Sequence, residues 1–250
     1  MKPLILSLAA LAMPALALTD AELEGIGKRV WQNECGGTRV GLASWNDGEA
    51  FASLGIGHFI WYPDGARGPF EESFPALVRF LVGEGVKVPV WMKGPCPWNT
   101  RAEFRAAEDG AQVGALRDLL AGTVREQGRF LARRMETALP KLLAAVPKGG
   151  RAGVEGQFKR LAGSAAGTFA LVDYVNFKGE GTDARERYKG AGWGLLQVIE
   201  GMTGRGPGAA REFGESAAKV LARRVKNAPP ERNEGRWLAG WLVRVRAYGR

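Results

Sequence analysis

The chain is short of the residues from which many catalytic centres are assembled. Its 250 residues contain one histidine, His58, and two cysteines, Cys35 and Cys96. One imidazole and two thiols far apart in sequence form no ligand cluster, so no metal is expected. The glycines of Gly55-Ile56-Gly57 are not followed by Gly-Lys-Ser/Thr, which excludes a phosphate-cradling loop, and no cofactor is implied. A serine hydrolase would have to pair Ser53 with His58 inside one short hairpin, without a nucleophile elbow, and that spacing is poor for a triad. Acid is scarce as well: 26 Asp+Glu stand against 35 Lys+Arg, for a formal net charge of +9.

No apolar run after the first residues is long enough to cross a bilayer. At the start, Met1-Lys2, the apolar stretch Leu4 to Leu18 and the small-residue pattern Ala15-Leu16-Ala17 predict a cleaved signal peptide over residues 1–18. The mature protein is therefore expected to be periplasmic or secreted, without a membrane span and as a monomer. Cleavage removes Lys2 and no acid, so the basic excess persists and calls for an anionic partner. Outside the cytoplasm the abundant anions are cell-wall polymers and lipid surfaces rather than nucleic acid. An oxidising compartment also favours a Cys35–Cys96 disulfide, closing a loop of about sixty residues worth roughly 3–4 kcal/mol.

Thr19-Asp20-Ala21-Glu22 has the form of a capping box, and Leu23, Ile26, Val30 and Trp31 recur at helical spacing until Gly36-Gly37. Glu34 falls at the inner edge of that helix end, where apolar neighbours are expected to disfavour its charged form, as a general acid requires. From Trp45 to Tyr62 the pattern changes to turns and short aromatic strands, predicting a hairpin or three-stranded sheet. Helices are expected thereafter over about 70–82, 101–107, 113–138, 154–162, 168–177, 192–202, 209–226 and 236–248, with Lys148-Gly149-Gly150 as an inter-helix loop. The fold class that follows is α+β and mainly α, a small antiparallel sheet beside a helical lobe.

Glu34, then Asp47 and Glu49 in a turn, surround a glycine-rich hairpin directly after a helix. Cleavage of a glycosidic bond uses a protonated carboxyl to donate to the leaving oxygen and commonly a second carboxylate acting on water. Glu34, Asp47, Ser53 and the run Gly55-Ile56-Gly57-His58 together resemble the lysozyme-like superfamily, most closely phage-type lysozymes or endolysins. The resemblance implies a lysozyme-like domain over 19–250, Glu34 as acid, Asp47 as the carboxylate that orients water, and Ser53 as the hydroxyl that helps hold it. The step from Glu34 to Asp47 is longer than in that family, which makes Glu49 the alternative to Asp47. Phe169 to Gly181 loosely resembles the family's later helix beside the cleft; residues of about 70–160 have no counterpart and read as an inserted or diverged helical lobe. His58, Tyr174, Asn176 and Gln197 are the expected substrate contacts. Trp237, Trp241 and Val245, at four-residue steps, are expected in the core. The implied activity is cleavage of the β-1,4 bonds of peptidoglycan, by hydrolysis or as a lytic transglycosylase. Chitin- or chitosan-cleaving activity and a non-catalytic wall-binding protein stand as alternatives.

Overall fold

A computed structural model describes residues 18–250, so the expected signal peptide lies outside the described residues save for Leu18. The protein is mainly α with a small antiparallel sheet, the expected class. Among the described residues no helix is long and apolar enough to cross a membrane.

Helix α1 (Asp20–Cys35) starts as its sequence dictates. The Thr19 hydroxyl accepts from the Glu22 backbone N–H, and the Glu22 carboxylate accepts from the Thr19 N–H. Two of the N–H groups that a helix start leaves without partners are thereby satisfied. Leu23, Ile26 and Val30 bury the inner face, and Gly36, at φ 61°, ends the helix in the left-handed conformation that glycine adopts without penalty.

The chain then forms strands β1 (Ala43–Ser44), β2 (Ala52–Leu54) and β3 (Phe59–Trp61), paired antiparallel in that order. Ser53 lies opposite both Ser44 and Ile60. A second, two-stranded ribbon, β4 (Arg187–Tyr188) with β5 (Ala191–Gly192), was not foreseen, because two-residue strands are too short to show alternation. Trp61 packs on Phe74, Trp91 and Trp98, and Trp98 on Phe104, so aromatic rings join the sheet to the helices that follow.

Those helices are α2 (Phe74–Gly83), α3 (Arg101–Ala107), α4 (Ala111–Ala121), α5 (Val124–Ala145), α6 (Lys148–Ala162), α7 (Ala165–Lys178), α8 (Leu195–Glu200), α9 (Ala209–Asn227) and α10 (Gly235–Arg246). The single helix expected over 113–138 is two. It breaks at Gly122-Thr123, where a poor helix former is followed by a threonine whose hydroxyl donates to the Leu119 carbonyl. Lys148-Gly149-Gly150 is not a loop but the first turn of α6, anchored by buried Val154 and Phe158. Within the 70–160 stretch the longest helix, α5, packs along α1 and also touches α2, α6 and α7. The two backbones approach closely where glycines face each other's helix. A Cβ on Gly128 would lie 2.4 Å from the Leu23 carbonyl oxygen, and one on Gly27 would lie 2.5 Å from that of Val124.

The expected disulfide is absent, and both cysteines are buried free thiols. Cys35 Sγ donates to the Gly55 carbonyl at 3.5 Å, on the β1–β2 side of the sheet, whereas the Cys96 backbone bridges to Pro63 beyond β3 and its thiol donates to Trp98 O at 3.4 Å. The two sulfurs thus have different partners, Cys35 the turn after β2 and Cys96 the Trp98 backbone. Burial pushes the Cys35 thiol up to about 12, with the Glu34 charge adding, and pushes Cys96 up to about 11.

Candidate functional site

Glu34 stands in the last turn of α1, at the negative end of the helix dipole. Three side chains from distant elements meet it there. Oε1 accepts from Arg244 Nη2 of α10 at 2.5 Å and from Asn176 Nδ2 of α7 at 3.1 Å; Oε2 lies 3.5 Å from His58 Nδ1. The Glu34 side chain is 13% exposed, so it is largely withdrawn from water yet reachable. The apolar surroundings expected from the α1 stripe are therefore not what the carboxyl group meets: it meets a guanidinium, an amide and an imidazole.

Arg244 is held in turn by Asp173, which is completely buried in α7. Asp173 accepts from Arg244 Nε and Nη2, both at 2.8 Å, from Asn33 Nδ2 at 3.1 Å and from the Tyr248 hydroxyl at 2.6 Å. Burial alone would lower the Arg244 pKa, but the Asp173 and Glu34 carboxylates outweigh it and raise the value. The guanidinium thus keeps its charge and its direction, with one nitrogen aimed at Glu34. The paired charges and their full set of hydrogen bonds are what make such burial tolerable.

His58 reaches Glu34 because the turn after β2 is tightly folded. His58 adopts φ 51°, a conformation uncommon outside glycine, and Gly55 adopts φ 69°. Gln127 of α5, fully buried, accepts from the Ile56 N–H at 3.0 Å and donates to Leu120 O and Thr123 Oγ1, tying the turn to the helices. A Cβ on Gly57 would come within 3.0 Å of Asn176 Oδ1 and 3.1 Å of the Phe59 ring, so glycine is needed for the turn to approach α7.

The other expected residues divide. Ser53, almost fully buried, donates from its hydroxyl to Glu49 Oε2 at 3.3 Å, and Asn46 Nδ2 donates to the same oxygen at 3.1 Å. Asp47 points the other way. Its side chain is 90% exposed and ion-paired to Arg101 at 2.8 Å, in a cleft lined also by Trp45, Phe104 and Glu108. Neither carboxylate touches Glu34. Tyr174 is not a surface contact: it is fully buried, and its hydroxyl donates to Trp193 O at 2.8 Å. Gln197 is likewise used by the fold, accepting from Gly194 N at 2.9 Å and donating to Gly181 O at 3.0 Å. Both ends of its amide are thus engaged by backbone groups of the Gly181–Gly194 contact.

Arg244, Asp173, Asn33 and Gln127 escaped the sequence reading. Asp173 left a signal, being the one carboxylate in the apolar run Phe169 to Val175, and a buried charge in such a run requires a cation. Nothing in the sequence names that cation as Arg244, 71 residues away. Among the described residues no cluster of His, Cys, Asp and Glu could hold a metal ion. In comparisons with known proteins no family model matches the chain, and no curated protein and no solved structure is significantly similar to it.

Proposed function

We propose that the protein is a lysozyme-like glycosidase that cleaves β-1,4 bonds of peptidoglycan, with Glu34 as general acid. The observation that carries this reading is the asymmetric setting of the Glu34 carboxyl group. Arg244 and Asn176 hold Oε1, while among the described residues the polar contact of Oε2 is the imidazole of His58, at 3.5 Å. In the proposed reaction Oε2 carries the proton to the leaving glycosidic oxygen as the bond from that oxygen to the anomeric carbon breaks. The carboxylate left behind is stabilised by donors already in place on Oε1, a preorganised arrangement that needs no rearrangement during the step.

Glu49 is the better supported second carboxylate. Ser53 and Asn46 orient it at the sheet, whereas Asp47 is bound to Arg101 on the outer side. In this reading Glu49 takes a proton from a water that attacks the anomeric carbon, with the Ser53 hydroxyl helping to hold that water. A second reading, the lytic transglycosylase, draws support from the absence of contact between any second catalytic candidate and the Glu34 group. The substrate's own hydroxyl then attacks and Glu34 serves alone. Action at a periplasmic or extracellular wall polymer is consistent with the basic excess of the chain.

The test is digestion of purified peptidoglycan by the protein and by Glu34→Gln, with products identified by mass spectrometry. Cleavage is expected to fall by about 10²–10⁴ in the variant while glycan binding persists. Reducing-end products identify the hydrolase and anhydro ends the transglycosylase. Equal turnover by both proteins removes Glu34 from the chemistry, and intact glycan with both removes the glycosidase reading.

A further inference from the structure

Helix α10 was expected to bury both its tryptophans, yet Trp237 is 42% exposed and Trp241 only half-buried. Trp237 stacks on Trp241 with ring centroids 6.0 Å apart and planes at 26°. From there the contacts run without a break to the candidate acid. Trp241 meets Phe177 edge-on at 6.1 Å, Arg244 lies 4.1 Å over Phe177, and Arg244 holds Glu34. An exposed indole ledge thus begins at the edge of the Glu34 group and extends outward along α10.

Lys178, the last residue of α7, lies on this ledge. Its Nζ sits 3.7 Å over the Trp241 ring and 3.9 Å over Phe177. Four charged groups face it: Arg224 from α9, Arg244 from α10, Glu234 at the start of α10 and Glu34 from α1. All four are already engaged, Arg224 with Glu234 and Arg244 with Glu34 and Asp173. Among the described residues Lys178 has no carboxylate within ion-pair distance and no hydrogen-bond partner. Burial, with Arg224 and then Arg244 beside it, pushes its ammonium down to about 7 against the pull of Glu234 and Glu34. The wider field has the same sign. Residues 201–250 carry eleven Lys and Arg and four Asp and Glu, although the whole chain has a net charge of only +9.

We infer that Trp237, Trp241 and Lys178 form a binding subsite for a carboxylate-bearing sugar of the glycan, next to the bond that Glu34 would cut; this rests on the glycosidase reading above. The apolar face of a sugar ring packs on the exposed indole of Trp237, displacing the solvated Arg236 guanidinium that lies 4.3 Å over it. The sugar's carboxylate supplies the partner Lys178 lacks, in a part-buried place where a charge-assisted hydrogen bond is strong. A neutral sugar would gain the stacking alone.

The experiment is calorimetric titration of the Glu34→Gln protein, which binds without cutting, with two tetrasaccharides. One is neutral, built only of N-acetylglucosamine; the other alternates it with N-acetylmuramic acid, which carries a carboxylate. The expected results are tighter binding of the acidic sugar by about fivefold or more, a loss of about tenfold for both sugars in Trp237→Ala, and removal of the difference alone in Lys178→Met. Unchanged affinities in both variants overturn the subsite and leave the glycosidase reading standing. Failure of the parent protein to bind either sugar overturns that reading and the subsite together. Circular dichroism of Trp237→Ala and Lys178→Met separates a local loss from misfolding.

Discussion

Asp173→Asn is the sharpest test of the idea that a buried charge relay aims Arg244 at Glu34. The substitution keeps the shape of the side chain, removes its charge and turns one acceptor oxygen into a donor. Asp173 now accepts four hydrogen bonds, two from Arg244 and one each from Asn33 and Tyr248. Wherever the new amide nitrogen lies, it faces donors, and Arg244 keeps only the Glu34 carboxylate as a counter-charge. Breaking a buried ion pair by removing one partner costs about 3–5 kcal/mol, and the surviving Glu34 contact places this case near the lower end, about 3 kcal/mol. Urea denaturation at neutral pH should therefore show a lower midpoint at an unchanged slope. The double variant with Arg244→Met should lose less than the sum of the two singles, by about 2 kcal/mol, because the buried Asp173 charge that Arg244→Met leaves unpaired is no longer present in the double. A loss below about 1 kcal/mol in Asp173→Asn, or simple additivity in the cycle, would refute the relay.

The Lys178 and cysteine environments give two further predictions. Lys178 titrates near 7 in the folded protein, below the ordinary lysine value of 10.5, so between these values the unfolded chain holds a proton that the native state does not, and stability rises with pH. Lys178→Met should therefore stabilise the fold most below pH 7, with a gain that shrinks as pH climbs toward 10.5; a gain independent of pH in urea titrations contradicts the assigned environment. Both cysteines are buried free thiols held protonated, so a thiol reagent without added reductant should titrate about none in the native protein and about two after denaturation. Fewer than two in the denatured chain restores the disulfide.

Local rules wrote much of the fold into the sequence. The capping box at Thr19, the buried stripe of α1 and the glycine stop at Gly36 all appear where the pattern places them. The turn-rich stretch after Trp45 does contain β2 and β3, with β1 beginning two residues earlier. These are short-range effects of hydrogen bonding and 3.6-residue periodicity, and a linear reading captures them. The misses have one character. Gly149 and Gly150 read as a loop because intrinsic propensity is weak, whereas buried Val154 and Phe158 further along commit that turn to helix. Tyr174 and Gln197 looked like ligand contacts because their chemistry suits one, but Trp193 O and the Gly181–Gly194 backbone use the same groups.

What the sequence determined by itself, then, is the helix carrying Glu34, the glycines that fold the Gly55 to His58 turn, and the basic excess of the chain. Only the tertiary structure brought Arg244, Asn176 and His58 to that carboxylate, turned Asp47 toward Arg101 and Glu49 toward Ser53, kept the two thiols apart and left Trp237 in solvent. The physical reason is distance along the chain. Capping, turns and amphipathic stripes are settled within a few residues, while a buried charge such as Asp173 fixes only that some cation must arrive. Which one arrives is decided by the packing of α7 against α9 and the final turn, and of α10 on α9, and that packing is recorded in no local pattern.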